Sequence, residues 1–380
     1  MSAKPEVAII GVGSSRQGKL PGETPLTLAV AAIRQALDDA GLEKEELDGL
    51  LTMPGTTSPE GPKHYLALGG ALGLNPKLTG SMSMGGATGG ALIEYAALAI
   101  GAGMAENVVC VFADTARTGG SRFDAPAGSE GSWGIWGMFG NAANSAMTAQ
   151  RHMALYGTTS EQLGWVAVTC RQHASLNPAA VMREPITLED HQTSRPIVDP
   201  LRKLDCCLIS DGAVAVIVSS AGGAAASDRR AVRILGMAQG HTLQTYENPD
   251  WWYLSHQRGC ITRAYEMAGV GPEDIDVAQL YDNFTISVLL WLEHGGFVEP
   301  GDSGPFVEGG ERIGLKGELP VNTAGGNLSE SYMQGWLHVV EGVRQIRAEC
   351  GPRQVEGAEL CLVTGRGMTL NTASALVLGR

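Results

Sequence analysis

The chain has 380 residues and a net charge of −13, and 44% of its residues are hydrophobic. This length supports two domains with a large buried core, and the acidic balance disfavours binding to nucleic acid or to an anionic membrane surface. The seven cysteines show no CxxC or Cys/His spacing that suits zinc, and an odd number does not suggest a disulfide framework.

Neither a secretory nor a membrane-spanning segment is visible in the sequence. The opening residues, MSAKPEVAIIGVG, contain no apolar signal region before a strand-like pattern. No apolar run reaches the roughly 18 residues that a membrane span needs. A cytoplasmic protein is therefore expected.

The first predicted helix lies between Thr24 and Gly41. Its apolar residues recur at helical spacing: Leu26, Ala29, Val30, Ile33 and Leu37. Thr24 suits the N-cap, Pro25 the first turn and Gly41 the end of the helix. A helix of small residues follows at about 87–103 and leads into a strand at 107–114.

A long segment at about 115–204 comes next. Its Gly-rich part carries three aromatic residues that suit a pocket wall, a subunit contact or the core: Trp133, Trp136 and Phe139. A helix is predicted after them at 159–177. An insertion of this length is usually functional, so the segment is predicted to form a lid or a binding wall. Tyr246 is a further candidate for the pocket wall.

Part of the chain is duplicated. QALDDAGLEKEELD at 35–48 matches RAYEMAGVGPEDID at 263–276 at six positions, with a constant offset of 228 residues, as between Ala36 and Ala264. Each copy reads as a helix, a glycine stop, an acidic turn and a strand. Six matches at one offset are unlike a chance recurrence of helix ends.

The duplication predicts two α/β halves. A helix at 335–350 leads into a strand at 359–365, as the earlier small-residue helix leads into its strand. Strand–helix alternation of this kind is typical of an α/β fold. The small, polar stretch 219–230 suits a linker, which divides the chain into an N-terminal half at 1–225 and a C-terminal half at 226–380.

Four segments carry motifs of a known family. They are RQHASLNPAA (171–180), PLRKLDCCLISDGAVAVIVSS (200–220), QLYDNFT (279–285) and VNTAGGNLSESYMQG (321–335). In this order along the chain they resemble motifs of the thiolase superfamily, particularly its sterol-carrier-protein type. The resemblance covers nearly the whole chain. It implies a thiolase fold, a five-layered α-β-α-β-α sandwich built from two duplicated halves and usually dimeric.

The catalytic positions of that family are changed here. The thiolase nucleophile is a cysteine in a motif like Asn-Cys-Ala-Thr-Gly, and Gly86 stands in its place in SMSMGGATGG. Because glycine has no side chain, that acyl-enzyme cannot form. Tyr332 aligns with the histidine that activates the cysteine, Tyr281 with the Asn or His of the strand-end motif, and Gly365 or a neighbour with the second cysteine. Gly85 and Gly86 could make room for a bulky substrate or ease helix packing.

A retro-aldol reaction fits the residues that remain. The scaffold is expected to hold a CoA thioester and to stabilise its enolate. Tyr281 and Tyr332 are predicted to act as acid and base, in an order left open, if their pKa is lowered from about 10. A β-hydroxyacyl-CoA would yield a ketone or aldehyde and a shorter acyl-CoA. No cofactor and no metal are expected.

Four neighbouring residues are assigned supporting roles. Asp282 and Asn283 could orient Tyr281, although a turn cap is an equal alternative. Gly325 and Gly326 are expected to let the backbone approach the thioester, with a simple tight turn as the alternative.

The resemblance also implies a substrate class and partners. Thiolase-like aldolases that cleave steroid side chains in actinobacteria carry tyrosines at the two motif positions. They release propionyl-CoA or acetyl-CoA from a tertiary β-hydroxyacyl-CoA and work with a small zinc-ribbon and OB-fold partner. A homodimer, and a heterotetramer with such a partner, are accordingly expected.

Two other functions stay open. A degenerate thiolase or acyltransferase would use Cys361 as its thiol, although its place in a predicted strand favours a buried core residue. A non-catalytic chain would carry an acyl-CoA or lipid, or would stabilise another subunit. Turnover of a β-hydroxyacyl-CoA separates these functions from the aldolase.

Overall fold

The computed structural model describes residues 6–120, 140–221, 230–242, 251–253, 255–367 and 372–380. The aromatic residues considered for a pocket wall lie outside these ranges: Trp133, Trp136, Phe139 and Tyr246. Short 3₁₀ turns connect many of the helices and strands that follow.

The strands of the described part are β1 (Val7–Ser14), β2 (Gly49–Met53), β3 (Leu78–Ser81), β4 (Asn107–Thr115), β5 (Pro196–Val198), β6 (Leu201–Arg202), β7 (Asp211–Ser220), β8 (Val232–His241), β9 (Val277–Gln279), β10 (Leu360–Gly367) and β11 (Thr372–Gly379). The helices are α1 (Pro25–Ala40), α2 (His64–Leu72), α3 (Thr88–Gly101), α4 (Gly140–Tyr156), α5 (Ser160–Ser175), α6 (Leu188–Thr193), α7 (Ser255–Ala268), α8 (Thr285–His294), α9 (Ser303–Val307), α10 (Gly326–Ser329) and α11 (Trp336–Ile346). The predicted helices and strands agree with α1, α3, α5, α11, β4 and β10.

Local sequence signals set both ends of α1, as predicted. The Thr24 hydroxyl accepts a hydrogen bond from the backbone N–H of Thr27, and Pro25 occupies the first turn. Gly41 ends the helix in the left-handed conformation with φ 67°, which glycine adopts without a steric penalty. The equivalent Gly269 after α7 has φ 75°, so the duplicated helices end in the same way.

The main sheet has the order β3-β2-β4-β7-β1-β8-β11-β10-β9. In the N-terminal part β2 is parallel to β3 and β4, and β7 lies antiparallel between β4 and β1. In the C-terminal part β9 is parallel to β10, and β11 lies antiparallel between β10 and β8. The two parts therefore repeat one topology. Among the described residues, the pairs Ala8–Arg233 and Ile9–Val232 join β1 to β8.

Three hydrophobic clusters arrange these parts in layers. The first cluster contains α3 and α11 together with strands from both halves of the sheet. The second contains α7, α8 and the other face of the C-terminal strands. The third contains α1, α2 and the other face of the N-terminal strands. This arrangement is an α-β-α-β-α sandwich, so the predicted fold class is confirmed. The boundary at residue 225 falls outside the described ranges and stays a prediction.

The long segment of the N-terminal half packs across the C-terminal half. Helix α5 begins at a capping box formed by Thr159 and Gln162 and contacts α8, α9 and α10. Helix α4 contacts α8. The described part of the segment therefore forms a wall over the C-terminal half. None of the described helices combines the length and the apolar character needed to cross a membrane.

The strand–helix contact of each half depends on a glycine. A Cβ built at Gly11 in β1 would overlap the carbonyl oxygen of Ala36 in α1, and one at Gly236 in β8 would overlap that of Ala264 in α7. Backbone atoms cannot move aside as a flexible side chain can. The duplicated glycines thus allow each helix to pack closely on its first strand.

We expect Gly236→Ala to lower the free energy of unfolding by about 1–3 kcal/mol, because the added methyl overpacks a backbone contact. Thermal denaturation followed by circular dichroism measures the effect. Gly70→Ala is the matched control, since Gly70 lies in α2 and a Cβ there meets no atom within 4 Å. The control is expected to be neutral or slightly stabilising. Equal melting temperatures for the two variants would contradict the close contact at Gly236.

Candidate active site

A cavity of about 430 Å³ lies where the segments after β9, before α3, at the start of α4 and at the end of β10 meet. Its lining includes Gly86, Ser145, Tyr281, Tyr332 and Arg366. A second groove of about 720 Å³ lies beside α7 and includes none of the predicted site residues. Among the described residues, no group of three or more His, Cys, Asp or Glu side chains is placed to hold a metal ion.

The two predicted tyrosines meet in this cavity. Their hydroxyl oxygens lie 3.2 Å apart, so one phenol donates a hydrogen bond to the other. Tyr281 is buried, with 2% of its surface exposed, and its backbone N–H donates to the Thr364 hydroxyl on β10 at 2.9 Å. Tyr332 is half-buried, and its backbone N–H donates to the Ser210 hydroxyl at 3.4 Å. The structure thus brings together two side chains that are 51 residues apart in the chain.

Gly86 lies directly against the Tyr281 ring. A Cβ built at Gly86 would overlap the ring and the hydroxyl of Tyr281. A Cβ at Gly335, which has φ 81°, would approach the same ring to 2.8 Å. The space beside Gly86 is therefore filled by a phenol. Gly85 and Gly86 both line the cavity, so the suggestion that they make room for a bulky substrate stays a prediction. Any side chain at position 86 requires Tyr281 to move.

Asp282 anchors the loop that carries Tyr332. Its carboxylate accepts hydrogen bonds from the backbone N–H groups of Asn327 at 2.8 Å and Leu328 at 3.3 Å. His338 of α11 lies with Nε2 3.0 Å from the same carboxylate. All four residues are buried. Asp282 therefore fixes α10 and α11 relative to the strand-end motif.

Gly326 makes this arrangement possible. A Cβ at Gly326 would overlap the Asp282 carboxylate, and one at Gly325 would lie 2.5 Å from the Ala174 Cβ. Both glycines have positive φ, 107° for Gly325 and 60° for Gly326, which other residues adopt only with strain. They serve the packing of the loop and are absent from the lining of the cavity. Their predicted approach to a thioester stays a prediction.

Asn283 holds a residue that the sequence analysis missed. Its side-chain Oδ1 accepts hydrogen bonds from the Ser287 hydroxyl at 2.8 Å and from Nη2 of Arg366 at 3.0 Å. Arg366 is buried and lines the cavity with both tyrosines. The only signal in the sequence was a single basic residue inside LCLVTGRGMT, the final Gly-rich turn. His338 gave a comparably weak signal, one histidine among the apolar residues of a helix.

Helix α4 adds a polar wall to the cavity. Asn141, Asn144 and Ser145 line it from the beginning of the helix. The Ser145 hydroxyl is buried and has no hydrogen-bond partner among the described residues. A buried hydroxyl without a partner is costly, so a ligand oxygen in the cavity would relieve that cost. Ser145 was not predicted as a site residue.

Comparison with known proteins identifies the family of this site. The thiolase C-terminal domain-like family matches residues 238–380. The 17-hydroxy-3-oxo-4-pregnene-20-carboxyl-CoA lyase of Mycobacterium tuberculosis is 38% identical in sequence to this chain. The alignment covers 98% of this chain and 99% of the lyase. The chain belongs to the thiolase superfamily. The resemblance drawn from the motifs is confirmed.

Two further relatives match this chain over almost its full length. The steroid side-chain-cleaving aldolase of Thermomonospora curvata is 36% identical over 98% of this chain and 97% of its own. The structure of the Ltp2-ChsH2(DUF35) aldolase superposes with a TM-score of 0.88 at 36% identity, over 99% of this chain and 98% of that one. These similarities agree with the thiolase fold.

The electrostatics of the tyrosine pair differ from the prediction. Burial raises the pKa of Tyr281 most strongly, while the hydrogen bond from Tyr332 and the charge of Arg366 lower it. Burial also raises the pKa of Tyr332, and the charge of Tyr281 raises it further. Both phenols therefore have a pKa above the usual value of about 10. The expectation of a lowered pKa is wrong for this superfamily member in its substrate-free form, in which both phenols are neutral near pH 7.

The thiols of Cys361 and Cys207 are also neutral near pH 7. Cys361 is buried in the central hydrophobic cluster, as expected, and burial raises its pKa. Cys207 is partly exposed and donates its backbone N–H to the Asn283 carbonyl oxygen at 3.0 Å. Burial raises the pKa of the Cys207 thiol well above its usual range. Neither cysteine has the lowered pKa of a nucleophilic thiol.

We expect removal of either hydroxyl to shift the pKa of the remaining phenol, in opposite directions. In Tyr332→Phe the pKa of Tyr281 rises, because a hydrogen bond that stabilises its phenolate is lost. In Tyr281→Phe the pKa of Tyr332 falls, because a neighbouring charge and a hydrogen bond that raise it are removed. NMR titration with tyrosine labelled at the ring carbon that bears the hydroxyl measures both shifts. Shifts of the same sign in both variants would contradict this coupling.

Proposed function

We propose that this protein cleaves a β-hydroxyacyl-CoA by a retro-aldol reaction, giving a ketone or aldehyde and a shorter acyl-CoA such as propionyl-CoA or acetyl-CoA. One observation carries the proposal: two hydrogen-bonded phenols stand in the cavity where a thiolase holds its nucleophile, and Gly86 leaves no side chain for an acyl-enzyme. The names of two relatives, a CoA-ester lyase and a side-chain-cleaving aldolase, support it.

The reaction needs one proton taken and one returned. A phenolate of the pair removes the proton from the β-hydroxyl, and the Cα–Cβ bond breaks as the new carbonyl forms. The electron pair of that bond moves into the thioester and gives its enolate. The second phenol then protonates Cα. The contact of 3.2 Å between the hydroxyls lets a proton pass back across the pair and restore the starting state. The reaction consumes no cofactor and needs no metal in this scheme.

We assign Tyr281 as the base and Tyr332 as the acid. The hydrogen bond between them lowers the pKa of Tyr281 and raises that of Tyr332. When the pair loses one proton, the negative charge is therefore more stable on Tyr281 than on Tyr332. Tyr332 keeps its proton and can transfer it to Cα. Ser145 lines the same cavity, and its buried hydroxyl has no hydrogen-bond partner among the described residues, which supports a role as a donor to a substrate oxygen.

The substrate class that fits best is a steroid side-chain CoA ester. The name of the Mycobacterium tuberculosis relative describes a hydroxyl on carbon 17 and a CoA-linked carboxyl on carbon 20. These carbons are bonded in a steroid, so the hydroxyl is β to the thioester, as a retro-aldol cleavage requires. We extend this substrate class to the present chain because the similarity covers nearly all of both sequences.

We expect Tyr281→Phe and Tyr332→Phe each to lower kcat/KM for such an ester by about 10²–10⁴-fold, because each removes a proton-transfer group. Release of the shorter acyl-CoA, followed by chromatography, measures the reaction. Tyr65→Phe is a suitable control, since Tyr65 in α2 lies outside the lining of the cavity, and it is expected to behave as the wild type. Full activity in both site variants would refute the mechanism.

An acyl-enzyme on a thiol is the competing mechanism. It would place the acyl group on Cys361, or on Cys207 beside the phenols, and would show as a mass increase of the intact protein after incubation with acyl-CoA. We expect no adduct, and we expect Cys361→Ala and Cys207→Ala to cleave the ester at a rate close to that of the wild type. A stable adduct that either substitution abolishes would favour the acyltransferase.

The assembly that we propose is a homodimer joined by a small partner. Exposed Tyr95 and Leu98 on α3 support a contact between two copies, because burying apolar side chains stabilises an interface. The name of the Ltp2-ChsH2(DUF35) aldolase includes a second subunit, which supports a zinc-ribbon and OB-fold partner here and hence a heterotetramer.

We expect co-expression with such a partner to give a heterotetramer with higher turnover than the single chain. Light scattering after gel filtration measures the mass, and the cleavage assay with and without the partner measures the rate. If neither preparation cleaves any β-hydroxyacyl-CoA, a non-catalytic carrier or partner subunit becomes the better account.

A further inference from the structure

Arg366 is a buried cation without a carboxylate partner in the described part of the chain. It lies near the end of β10, is 3% exposed, and donates from Nη2 to Asn283 Oδ1 at 3.0 Å. None of the ion pairs formed by the described residues includes it. Burying a charge without an opposite charge is costly, so its presence at this position needs an explanation.

Two other buried arginines of the described part are held differently. Arg353 pairs with the Glu341 carboxylate at 3.0 Å. Arg171 donates to the Ser329 hydroxyl at 2.9 Å and to the backbone carbonyl oxygen of Glu184 at 3.2 Å, and it does not line the cavity. Of the three, Arg366 alone faces the cavity of the tyrosine pair. Its position suits a positive charge that acts on groups in the cavity, rather than one that only stabilises the fold.

The groups that interact electrostatically with Arg366 are the two phenols. Burial lowers the pKa of Arg366 to about 10, and the charges of Tyr281 and Tyr332 raise it. The guanidinium in turn lowers the pKa of both phenols. Arg366 is therefore still cationic near neutral pH, and it favours loss of one proton from the pair.

We propose that Arg366 is a catalytic residue whose cation balances the negative charge that stays in the cavity throughout the reaction. Before cleavage this charge lies on the phenolate of the pair. After the Cα–Cβ bond breaks it lies on the oxygen of the thioester enolate, and after protonation of Cα it returns to the pair. The enolate part of this inference depends on the proposed retro-aldol function, whereas the effect on the phenols does not.

A purely structural role predicts a different outcome when Arg366 is removed. If it only held Asn283, its loss would destabilise the protein. The Asn283 Oδ1 atom, however, also accepts a hydrogen bond from Ser287, so it keeps a partner in the variant. Removal of an unpaired buried charge in favour of an apolar side chain of similar size is often neutral or stabilising. Lost activity with unchanged or higher stability is therefore the signature of a catalytic cation.

The first experiment uses the substrate-free protein. In Arg366→Met we expect the pKa of both Tyr281 and Tyr332 to rise, measured by NMR titration with ring-labelled tyrosine, while the melting temperature stays equal or increases. Arg366→Lys keeps the charge and is expected to retain most of the wild-type pKa. Unchanged phenol pKa values in Arg366→Met would overturn the inference, as would a large fall in melting temperature without a pKa shift.

The second experiment measures cleavage of a β-hydroxyacyl-CoA. Since one phenol must be ionised, kcat/KM of the wild type is expected to rise with pH, and in Arg366→Met this rise moves to higher pH. At neutral pH we expect a loss of about 10²–10³-fold, partly recovered in Arg366→Lys. If the wild type cleaves and Arg366→Met cleaves equally well with the same pH profile, Arg366 has no catalytic role. If the wild type does not cleave, the proposed function fails, and the titration still decides the electrostatic part.

Discussion

The contact between the Tyr281 ring and the backbone of Gly86 determines the chemistry of this site. A Cβ at position 86 and the phenol of Tyr281 cannot occupy the same space. A thiol nucleophile and the tyrosine pair therefore exclude each other, and replacing one by the other takes changes at both positions. Once Tyr281 fills this space, its hydroxyl meets Tyr332 at 3.2 Å, and the cavity holds a pair of hydrogen-bonded phenols.

The strand-end motif that supplies Tyr281 also organises the groups around it. Asp282 holds the loop before Tyr332 through two backbone N–H groups and His338. Asn283 holds Arg366. Neighbouring side chains of one short motif thus fix the second phenol and the buried cation separately. This explains how a site assembled from distant segments can be rigid, since buried polar groups that are hydrogen-bonded to one another have few alternative arrangements.

The fold leaves the type of reaction open. An α-β-α-β-α sandwich of two similar halves holds the ends of β9 and β10 and the start of α3 at one place, whichever side chains they carry. Members of one superfamily can therefore perform different reactions by changing a few residues at that place. In the retro-aldol reaction proposed for this chain the stabilisation of a thioester enolate is retained, while the covalent step on sulfur is replaced by proton transfer between phenols.

The sequence by itself determined the parts of the protein that depend on local pattern. Helix α1 has its predicted cap and stop because Thr24 and Gly41 act on their immediate neighbours. The duplication was visible because equivalent helices end in equivalent turns. Gly86 and the two tyrosines could be selected because each lies within a short motif of the family.

Only the tertiary structure decided how these residues interact, because the contacts join segments far apart in the chain. Arg366 and Asn283 are 83 residues apart, and His338 and Asp282 are 56 apart, so no local pattern indicated either pair. The direction of the phenol pKa shifts was predicted wrongly for a related reason. Burial dominates those shifts, and the burial of a side chain depends on how the layers of the whole fold pack around it.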